Sequence, residues 1–363
     1  MVLKSTLPTR RHLPQRVFIR SRHTLFPMGN LNVVVLGQND YARDLGKKGT
    51  STDITFYNLK KGEDSVTFLE PTRYPERFAP LYLAAATAEK AILVVDGLTP
   101  LFGEAVLMLD CLGIRDGFVV LRNFIGQEQV MPLIRGTVVE RYRFAEDNRA
   151  ALREQLLEDA AKKAAVPRET PAGSVSVDHF FTVRGIGTVV LGGVVAGAIR
   201  RHDTLSVLPL EKTAQVRSIQ KHDDEAEWAG AGDRVGLALK NVGVEDLERG
   251  YVLTSDRSLL SVSSATGTAH LVKYWNRPLR EGMVLHLGHW MQFVPARLEL
   301  VQEGGNPRSP VLTLALEKPL VCAPKDRVVL HHLEGGKLRI VGTMTLAGWV
   351  AKLPSGQPAQ AVR

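Results

Sequence analysis

Apolar runs of strand length alternate with segments of helical periodicity over the first part of the chain. The runs are LNVVVLG, DSVTFLE, ILVVDG, GFVVLRN and TVVERYRF, the last at 137–144. Between them, the residues 76–91 and 101–114 are predicted to form helices, the second followed by glycine-containing turn sequence. Buried strands separated by helices are typical of a mostly parallel sheet with helices on both faces. This part is therefore predicted to be an α/β domain.

From residue 174 onward the pattern changes to short strand-like runs that are separated by glycine-rich turns. One series consists of SVSVDHFFTV, GTVVLGGVVAGAI, TLSVLPL, AQVRSIQ and RVGLALK. A second series begins near Ser261 and includes MQFVPARLELV and PVLTLALE. Many short strands with regular turn signals are typical of antiparallel barrels. The predicted fold class is therefore α/β followed by all-β, with one α/β domain and two β-barrels.

Composition and pattern together give the predicted domain boundaries. They are a leader at 1–27, an α/β domain at 28–167, barrels at 173–257 and 261–352, and a disordered tail at 353–363. The leader is basic and contains no acidic residue. It is interpreted as a transit-type peptide, a disordered arm that touches phosphate, or the product of a start assigned too far upstream, because Met28 directly precedes the first strand.

Charge and cysteine content exclude several classes of function. The six basic residues of the leader leave only +2 of the net charge of +8 for the rest of the chain, so global charge does not by itself indicate nucleic-acid binding. No apolar run approaches the ~18 residues that span a bilayer, and a cytoplasmic protein without a membrane partner is predicted. Cys111 and Cys322 are expected to be buried thiols. His286 and His289 lack accompanying ligands, so no metal site is expected.

Two long stretches carry a resemblance to a known family. DHFFTVRGIGTVVLGGVVAGAIRRHDTLSVLP, AQVRSIQKHDDE and AGAGDRVGLALKNVGVEDLERGYVL closely resemble the second domain of translational GTPases, with nearly every turn glycine in place. RPLREGMVLHLGHWMQFVPARLELV resembles their third domain. Within this superfamily the chain looks most like the selenocysteine-specific elongation factor SelB of the archaeal type. The resemblance implies a P-loop GTPase-like domain followed by two elongation-factor-type β-barrels.

The phosphate loop that this resemblance implies is degenerate. Such a loop needs backbone N–H groups that face the phosphates, a second glycine, a lysine and a hydroxyl that binds Mg²⁺. Gly37 begins the loop, and Asp40 lies within it, but the next positions of the motif carry Ala42, Arg43 and Asp44. The carboxylate of Asp44 is expected to repel a triphosphate.

The two other nucleotide motifs of the family are also lost. In place of Asp-x-x-Gly and a following histidine the chain has Glu70, Arg73 and Tyr74; in place of the guanine-reading motif it has Arg122, Asn123 and Ile125. Each lost charge-assisted hydrogen bond costs about 1.5–3 kcal/mol of binding. GTP and Mg²⁺ are therefore not expected to bind, no other cofactor is indicated, and the chain is predicted to be a pseudo-GTPase without enzymatic activity.

The resemblance also implies a pocket for the aminoacylated end of tRNA in the first barrel. By position, its residues are Asp178, His179 and Arg234. A histidine and an arginine suit an anionic selenolate, and an aspartate suits the amino group of an aminoacyl ester. The alternative is structural: Asp178 caps a turn, His179 is an ordinary surface histidine, and Arg234 pairs with Asp233 or a carbonyl group.

Three functions remain open at this point. The first is a SelB-like protein that has lost GTP binding and hydrolysis and binds tRNA, with no DNA partner. The second is a protein-interaction paralogue that docks on the ribosome or on another translation factor. The third is a GTP-dependent elongation factor with a cryptic nucleotide site.

Overall fold

A computed structural model describes residues 29–163, 172–303, 305–334, 336 and 338–351. The strands of its first part are β1 (Asn30–Leu36), β2 (Lys47–Ser51), β3 (Thr55–Lys61), β4 (Asp64–Glu70), β5 (Lys90–Val95), β6 (Gly117–Leu121) and β7 (Arg143–Ala145). They form one sheet in the order β2-β3-β4-β1-β5-β6-β7. The adjacent pairs from β4 to β7 are parallel, whereas β2 and β3 add an antiparallel edge.

Helices cover both faces of this sheet. The α-helices among the described residues are α1 (Ala79–Ala85), α2 (Pro100–Leu112), α3 (Gln127–Ile134) and α4 (Arg149–Lys162). Val34 packs into one core with Leu81 of α1 and Met108 of α2. Its neighbour Val35 packs into a separate core with Leu156 of α4, as expected from the alternation of side chains along a strand. The predicted α/β arrangement is confirmed.

The helix predicted at 76–91 is wrong at its C-terminal end. α1 ends at Ala85, and Lys90 and Ala91 already belong to β5. The buried ammonium group of Lys90 pairs with Asp159 of α4. This long-range ion pair stabilises a buried lysine in the sheet. Helix propensity depends on neighbouring residues along the chain and cannot predict such a pair.

The segment 137–144 is not the single strand that its valines predict. It contains a 3₁₀-helix, Val138–Arg141, before the short β7. The N–H group of Val138 donates a hydrogen bond of 2.9 Å to the carboxylate of Asp110 on α2. The hairpin of β2 and β3 was not predicted either, because KKGTS lacks the apolar alternation of a half-buried strand.

The first barrel follows from residue 174. Its strands are β8 (Ser174–Val183), β9 (Gly187–Ala196), β10 (Ala198–Arg200), β11 (Thr204–Leu208), β12 (Lys212–Lys221), β13 (Asp224–Ala226), β14 (Trp228–Gly230), β15 (Arg234–Lys240) and β16 (Val252–Thr254). Strands β11, β16, β8, β9, β15 and β12 are neighbours in that order, and β12 pairs back onto β11. Inward-facing residues such as Val177, Val190 and Leu237 form its core.

The second barrel is closed as well. It consists of β17 (Leu260–Leu271), β18 (Val284–His289), β19 (Gln292–Gln302), β20 (Val311–Cys322), β21 (Arg327–His331) and β22 (Ile340–Ala351). The strand order is β17-β20-β19-β18-β21-β22, and β22 pairs back onto β17. The prediction of two β-barrels after an α/β domain is therefore confirmed.

Contacts of the α/β domain reach both barrels. The side-chain amide of Asn32 in β1 donates to the carbonyl oxygen of Gly232 at 2.8 Å. On the other side, the buried carboxylate of Glu104 in α2 accepts hydrogen bonds of 2.6 and 3.0 Å from the guanidinium group of Arg339. The hydroxyl group of Tyr82 in α1 donates to the carbonyl oxygen of Trp290 at 3.2 Å.

The predictions for the leader and for the tail concern residues outside the described ranges. Cys111 and Cys322 are both buried free thiols, as expected, and burial raises the pKa of each to about 12. Among the described residues, no helix is long and apolar enough to cross a membrane. No cluster of three metal-ligating side chains occurs in the same ranges.

Candidate functional site

The loop after β1 has the location of a phosphate-binding loop and forms a compact turn. Gly37 has a φ of +96°, and a Cβ atom there would lie 1.9 Å from the carbonyl oxygen of Val94, so only glycine fits. Asp40 adopts a left-handed conformation and precedes a 3₁₀-helix, Tyr41–Asp44. Ala42 is fully buried. These residues build a compact turn at the end of β1.

The carboxylate of Glu70 accepts hydrogen bonds from the backbone of this turn. Its Oε1 atom lies 2.6 Å from the amide nitrogen of Ala42, and its Oε2 atom lies 3.1 Å from that of Asp40. Glu70 is only 2% exposed. Burial raises the pKa of Glu70 to about 7, in opposition to the lowering effect of the Ala42 amide. Amide groups that face the ligand in a phosphate loop here donate to a carboxylate of the chain itself.

Arg43 and Asp44 lie away from the Glu70 carboxylate. Both are exposed, and both line a cleft between the α/β domain and the first barrel. The repulsion that the sequence assigns to Asp44 stays a prediction. The carboxylate that contacts the turn belongs to Glu70.

The remaining positions of the lost motifs are used in contacts of other kinds. The hydroxyl group of Tyr74 donates to Glu104 at 2.7 Å, and Arg73 is exposed. The guanidinium group of Arg122 donates to the side-chain carbonyl of Gln38 at 2.5 Å. The Asn123 side chain donates to the carbonyl oxygen of Asp96 at 3.0 Å. Ile125 packs against the first core of the α/β domain.

A cavity of about 260 Å³ lies at the carboxyl ends of β1 and β5. Ligands of open α/β sheets usually bind at this edge. Leu36, Leu93 and Phe102 are typical of its lining, and Asp96 is the only one of the described lining residues with a formal charge. A phosphate group is bound by cations and N–H donors, and the described part of the lining contains no basic side chain.

The three residues predicted for the aminoacyl pocket do come together. Asp178 is 4% exposed and forms a bidentate ion pair with Arg234, and its Oδ1 atom also lies 2.6 Å from Nδ1 of His179. Burial opposes ionisation of Asp178, but Arg234 and His179 hold its pKa below the usual value. The Arg234 guanidinium group lies 3.7 Å from the ring centre of Phe56 in β3. Arg234 thus pairs with Asp178 and not with Asp233.

The turn between β2 and β3 covers this group of three residues. Arg249 donates to both carboxylate oxygens of Asp53, at 2.8 and 2.9 Å, and to the carbonyl oxygen of Asp178 at 3.2 Å. The hydroxyl oxygen of Thr52 lies 3.1 Å from Nε2 of His179. We refer to Thr52 and Asp53 as the clasp. In this conformation the polar atoms of the pocket are engaged by the chain itself.

Sequence reasoning missed Arg249 and the clasp. Arg249 lies in the turn before β16, and Asp53 lies 196 residues away along the chain. Neither residue belongs to a motif, and the pairing depends on how the α/β domain sits on the barrel. A docking contact of this kind has no local sequence signal.

The α/β domain, the two barrels and the degenerate phosphate loop define a protein with the architecture of a translational GTPase. The family model for Elongation factor Tu domain 2 matches residues 187–254. An uncharacterized protein of Methanocaldococcus jannaschii is 34% identical over 318 residues, which are 87% of this chain and 99% of that protein. The selenocysteine-specific elongation factor of the same organism is 25% identical over 317 residues, 82% of this chain and 64% of that factor.

Solved structures agree with this assignment of the fold. The translation elongation factor SelB of Methanococcus maripaludis, in complex with the GTP analogue GppNHp, superimposes with a TM-score of 0.76 at 24% identity. The match covers 89% of this chain and 80% of that one. A bacterial selenocysteine-specific elongation factor gives a TM-score of 0.73 at 17% identity, covering 89% of this chain and 59% of that one. The chain belongs to one family with the uncharacterized protein of Methanocaldococcus jannaschii and is homologous to SelB and elongation factor Tu.

Proposed function

We propose that this SelB-like homologue has lost GTP binding and hydrolysis and binds tRNA through its first barrel. The observation that supports the loss of GTP binding is the position of Glu70. Its carboxylate already accepts hydrogen bonds from the turn amides of Asp40 and Ala42. A phosphate group would have to displace this carboxylate and approach its negative charge in a site with low exposure.

The tRNA component of the proposal is supported by the pocket residues. Asp178, His179 and Arg234 are close to one another although the nucleotide motifs have been replaced. A buried ion pair contributes little net stability compared with apolar packing, so stability alone gives weak grounds for keeping the three residues. Because the clasp covers them, an aminoacyl group can reach them only after Thr52 and Asp53 move away.

Calorimetric titration tests the nucleotide component. We expect no saturable heat when GTP or GDP is added to the purified chain with Mg²⁺, and no shift of the melting temperature relative to ATP as a control. Micromolar binding of GTP that depends on Mg²⁺ would contradict this part of the proposal. It would instead favour the cryptic elongation factor.

A variant of the clasp tests the tRNA component. Asp53→Asn removes the charge that holds Arg249, so tRNA affinity is expected to rise by roughly tenfold if the pocket must open, which corresponds to about 1.4 kcal/mol. Glu248→Gln is the matched control, because it removes an exposed ion pair to Lys318 in the second barrel. Sequencing of RNA that copurifies with the chain identifies the tRNA. If no tRNA copurifies with either variant, or if Asp53→Asn and Glu248→Gln bind tRNA with equal affinity, the result would argue against tRNA binding in the pocket.

A second candidate function is docking on the ribosome or on another translation factor. Phe124 is fully exposed in a left-handed conformation after β6. Leu98, in the loop after β5, and Leu101, in the first turn of α2, are each about 40% exposed. Exposed apolar residues that cluster are typical of protein contacts. Cosedimentation with ribosomes that is lost in Phe124→Ala, but not in Phe181→Ala on β8, would support this candidate.

A further inference from the structure

The cavity at the carboxyl ends of β1 and β5 has apolar walls and a polar rim. Leu36, Leu81 and Leu93 line it and are at most 2% exposed. Two of the polar lining residues, Asn39 and Asp96, are exposed. A pocket with this distribution buries the apolar part of a ligand and orients it through a few polar groups.

The volume of the cavity, about 260 Å³, suits a small molecule. An apolar protein cavity of about 150 Å³ accommodates benzene. The larger cavity described here can therefore hold an aromatic ring or a branched aliphatic chain together with a short polar group. Phe102 and Ala105 supply further apolar surface from α2. The described part of the lining contains no basic side chain, so a phosphate group would have no counterion.

Asp96 indicates the charge that the ligand should carry. Among the residues that the structure describes, its carboxylate forms no ion pair. Arg122 donates to Gln38, another lining residue, but its charge is paired with Asp147. A carboxylate without an ion pair beside an apolar cavity favours a ligand with a cationic group.

The first turn of α2 gives an opposing argument, because Leu101 and Phe102 also line the cavity. The N–H groups at a helix N-terminus carry about half a positive charge and favour an anion. The side chain of Thr99 does not cap them. The Asp96 carboxylate, however, carries a full negative charge and repels a ligand carboxylate. A cation is therefore favoured over an anion of the same size.

We propose that this cavity binds a small primary amine with an aromatic or branched aliphatic body. The ammonium group lies at Asp96, and the apolar body lies against the buried leucines of the wall. This inference goes beyond the proposed function, because it assigns a ligand that is neither a nucleotide nor an RNA. It does not depend on the loss of GTP binding.

Tyr74 connects the cavity to the second barrel. It lines the cavity, and its hydroxyl group donates to Glu104 of α2, which pairs with Arg339. A ligand stabilises the conformation to which it binds. The amine should therefore slow hydrogen exchange in α2, which supplies both part of the cavity wall and the contact with the second barrel.

Phenethylamine, 2-phenylethanol and phenylacetate are suitable probes, because they share a phenyl ring and differ mainly in the charge of the end group. NMR of labelled leucine methyl groups in the full chain measures the affinity of each probe and shows whether Leu36, Leu81 and Leu93 respond. We expect the amine to bind with a Kd of about 1 mM or lower, within the usual efficiency of small ligands. The alcohol and the carboxylate should bind roughly tenfold more weakly.

Three variants test the residues of the site. Asp96→Asn should weaken the binding of phenethylamine by roughly tenfold and leave that of 2-phenylethanol unchanged. Glu63→Gln is the matched control, because it removes one negative charge from the exposed turn between β3 and β4, and it should change neither affinity. Ala105→Leu adds volume to a buried wall of the cavity and should abolish the binding of all three probes.

Four results would each overturn the proposal: tightest binding of phenylacetate, equal effects of Asp96→Asn and Glu63→Gln, no response of the cavity leucines, or unchanged binding by a folded Ala105→Leu variant. Circular dichroism of each variant shows whether it is folded. Asp96 is exposed, so Asp96→Asn tests the proposal even if Ala105→Leu does not fold.

Discussion

At the scale of single residues, the turn after β1 is distinguished by a buried carboxylate of the chain itself, that of Glu70, which accepts hydrogen bonds from its amides. The sequence shows which motif positions have changed, and in the structure Tyr74, Arg122 and Asn123 form hydrogen bonds within the chain. The sequence could not predict that the Glu70 carboxylate contacts the turn amides, because Glu70 lies 28 residues from Ala42 along the chain. The pocket residues were found only through a resemblance, since their pairing is a property of the folded barrel.

The raised pKa of Glu70 gives a prediction about stability and pH. Because its folded pKa of about 7 exceeds the usual value, protonation stabilises the fold at low pH, and this contribution is lost as the pH rises through about 7. Relative to Glu70→Gln, which does not titrate, the wild type should gain on the order of 2 kcal/mol between pH 8 and pH 5. Urea unfolding at both pH values measures the difference. A difference that does not change with pH would be inconsistent with the buried carboxyl group.

The ion pair of Arg234 and Asp178 gives a second prediction. Arg234→Ala leaves a buried carboxylate with only His179 beside it, and should lower the free energy of unfolding by about 3–5 kcal/mol. The double variant Asp178→Asn/Arg234→Ala should recover part of this loss, because no buried charge is left unpaired. Urea unfolding of both variants is the measurement. A double variant that is less stable than the single one would show that the pair is not coupled in this way.

At the scale of elements, the sequence predicts best where burial is one-sided and regular. Strands β8, β15 and β19 were predicted almost to the residue, and β19 alternates between buried and less buried positions from Gln292 to Leu298. The β2–β3 hairpin was missed, because an exposed edge strand needs no apolar face. This hairpin also contains the clasp and lines part of the cleft beside the first barrel. The element that the sequence did not predict therefore contributes to the pocket and to the cleft.

The contact between α1 and the second barrel can be tested at one glycine. A Cβ atom at Gly288 of β18 would lie 2.4 Å from the ring of Tyr82. Gly288→Ala should therefore cost about 1–3 kcal/mol of stability, as overpacking usually does, and should increase hydrogen exchange in α1. Gly348→Ala on β22 is the control, because its nearest neighbour, Thr266, would be 3.7 Å away. Equal effects of the two variants would contradict the close contact.

At the scale of the whole molecule, ion pairs join all three domains. Asp53 and Arg249 link the α/β domain to the first barrel, Glu104 and Arg339 link it to the second, and Glu248 and Lys318 link the two barrels. A nucleotide can change a domain arrangement only if it binds one arrangement better than another. Under the proposed loss of nucleotide binding, GTP and GDP cannot change the arrangement of the three domains.

Small-angle scattering tests this expectation. The radius of gyration should be the same with GTP, with GDP and without nucleotide, each measured in the presence of Mg²⁺. Asp53→Asn should increase it, or broaden the distance distribution, because one interdomain pair is removed. A nucleotide-dependent change in the wild type would show that the α/β domain still acts as a switch.

The hydrogen bonds of Glu70 also have a consequence for competition. The carboxylate is attached to the same chain as the amides it contacts, so its effective concentration at the turn is set by geometry and is of millimolar order or higher for a well-placed group. This effective concentration does not depend on the concentration of the protein or of any solute. Under the proposed loss of GTP binding, any free anion has to compete for the turn amides with a carboxylate that is attached to the same chain.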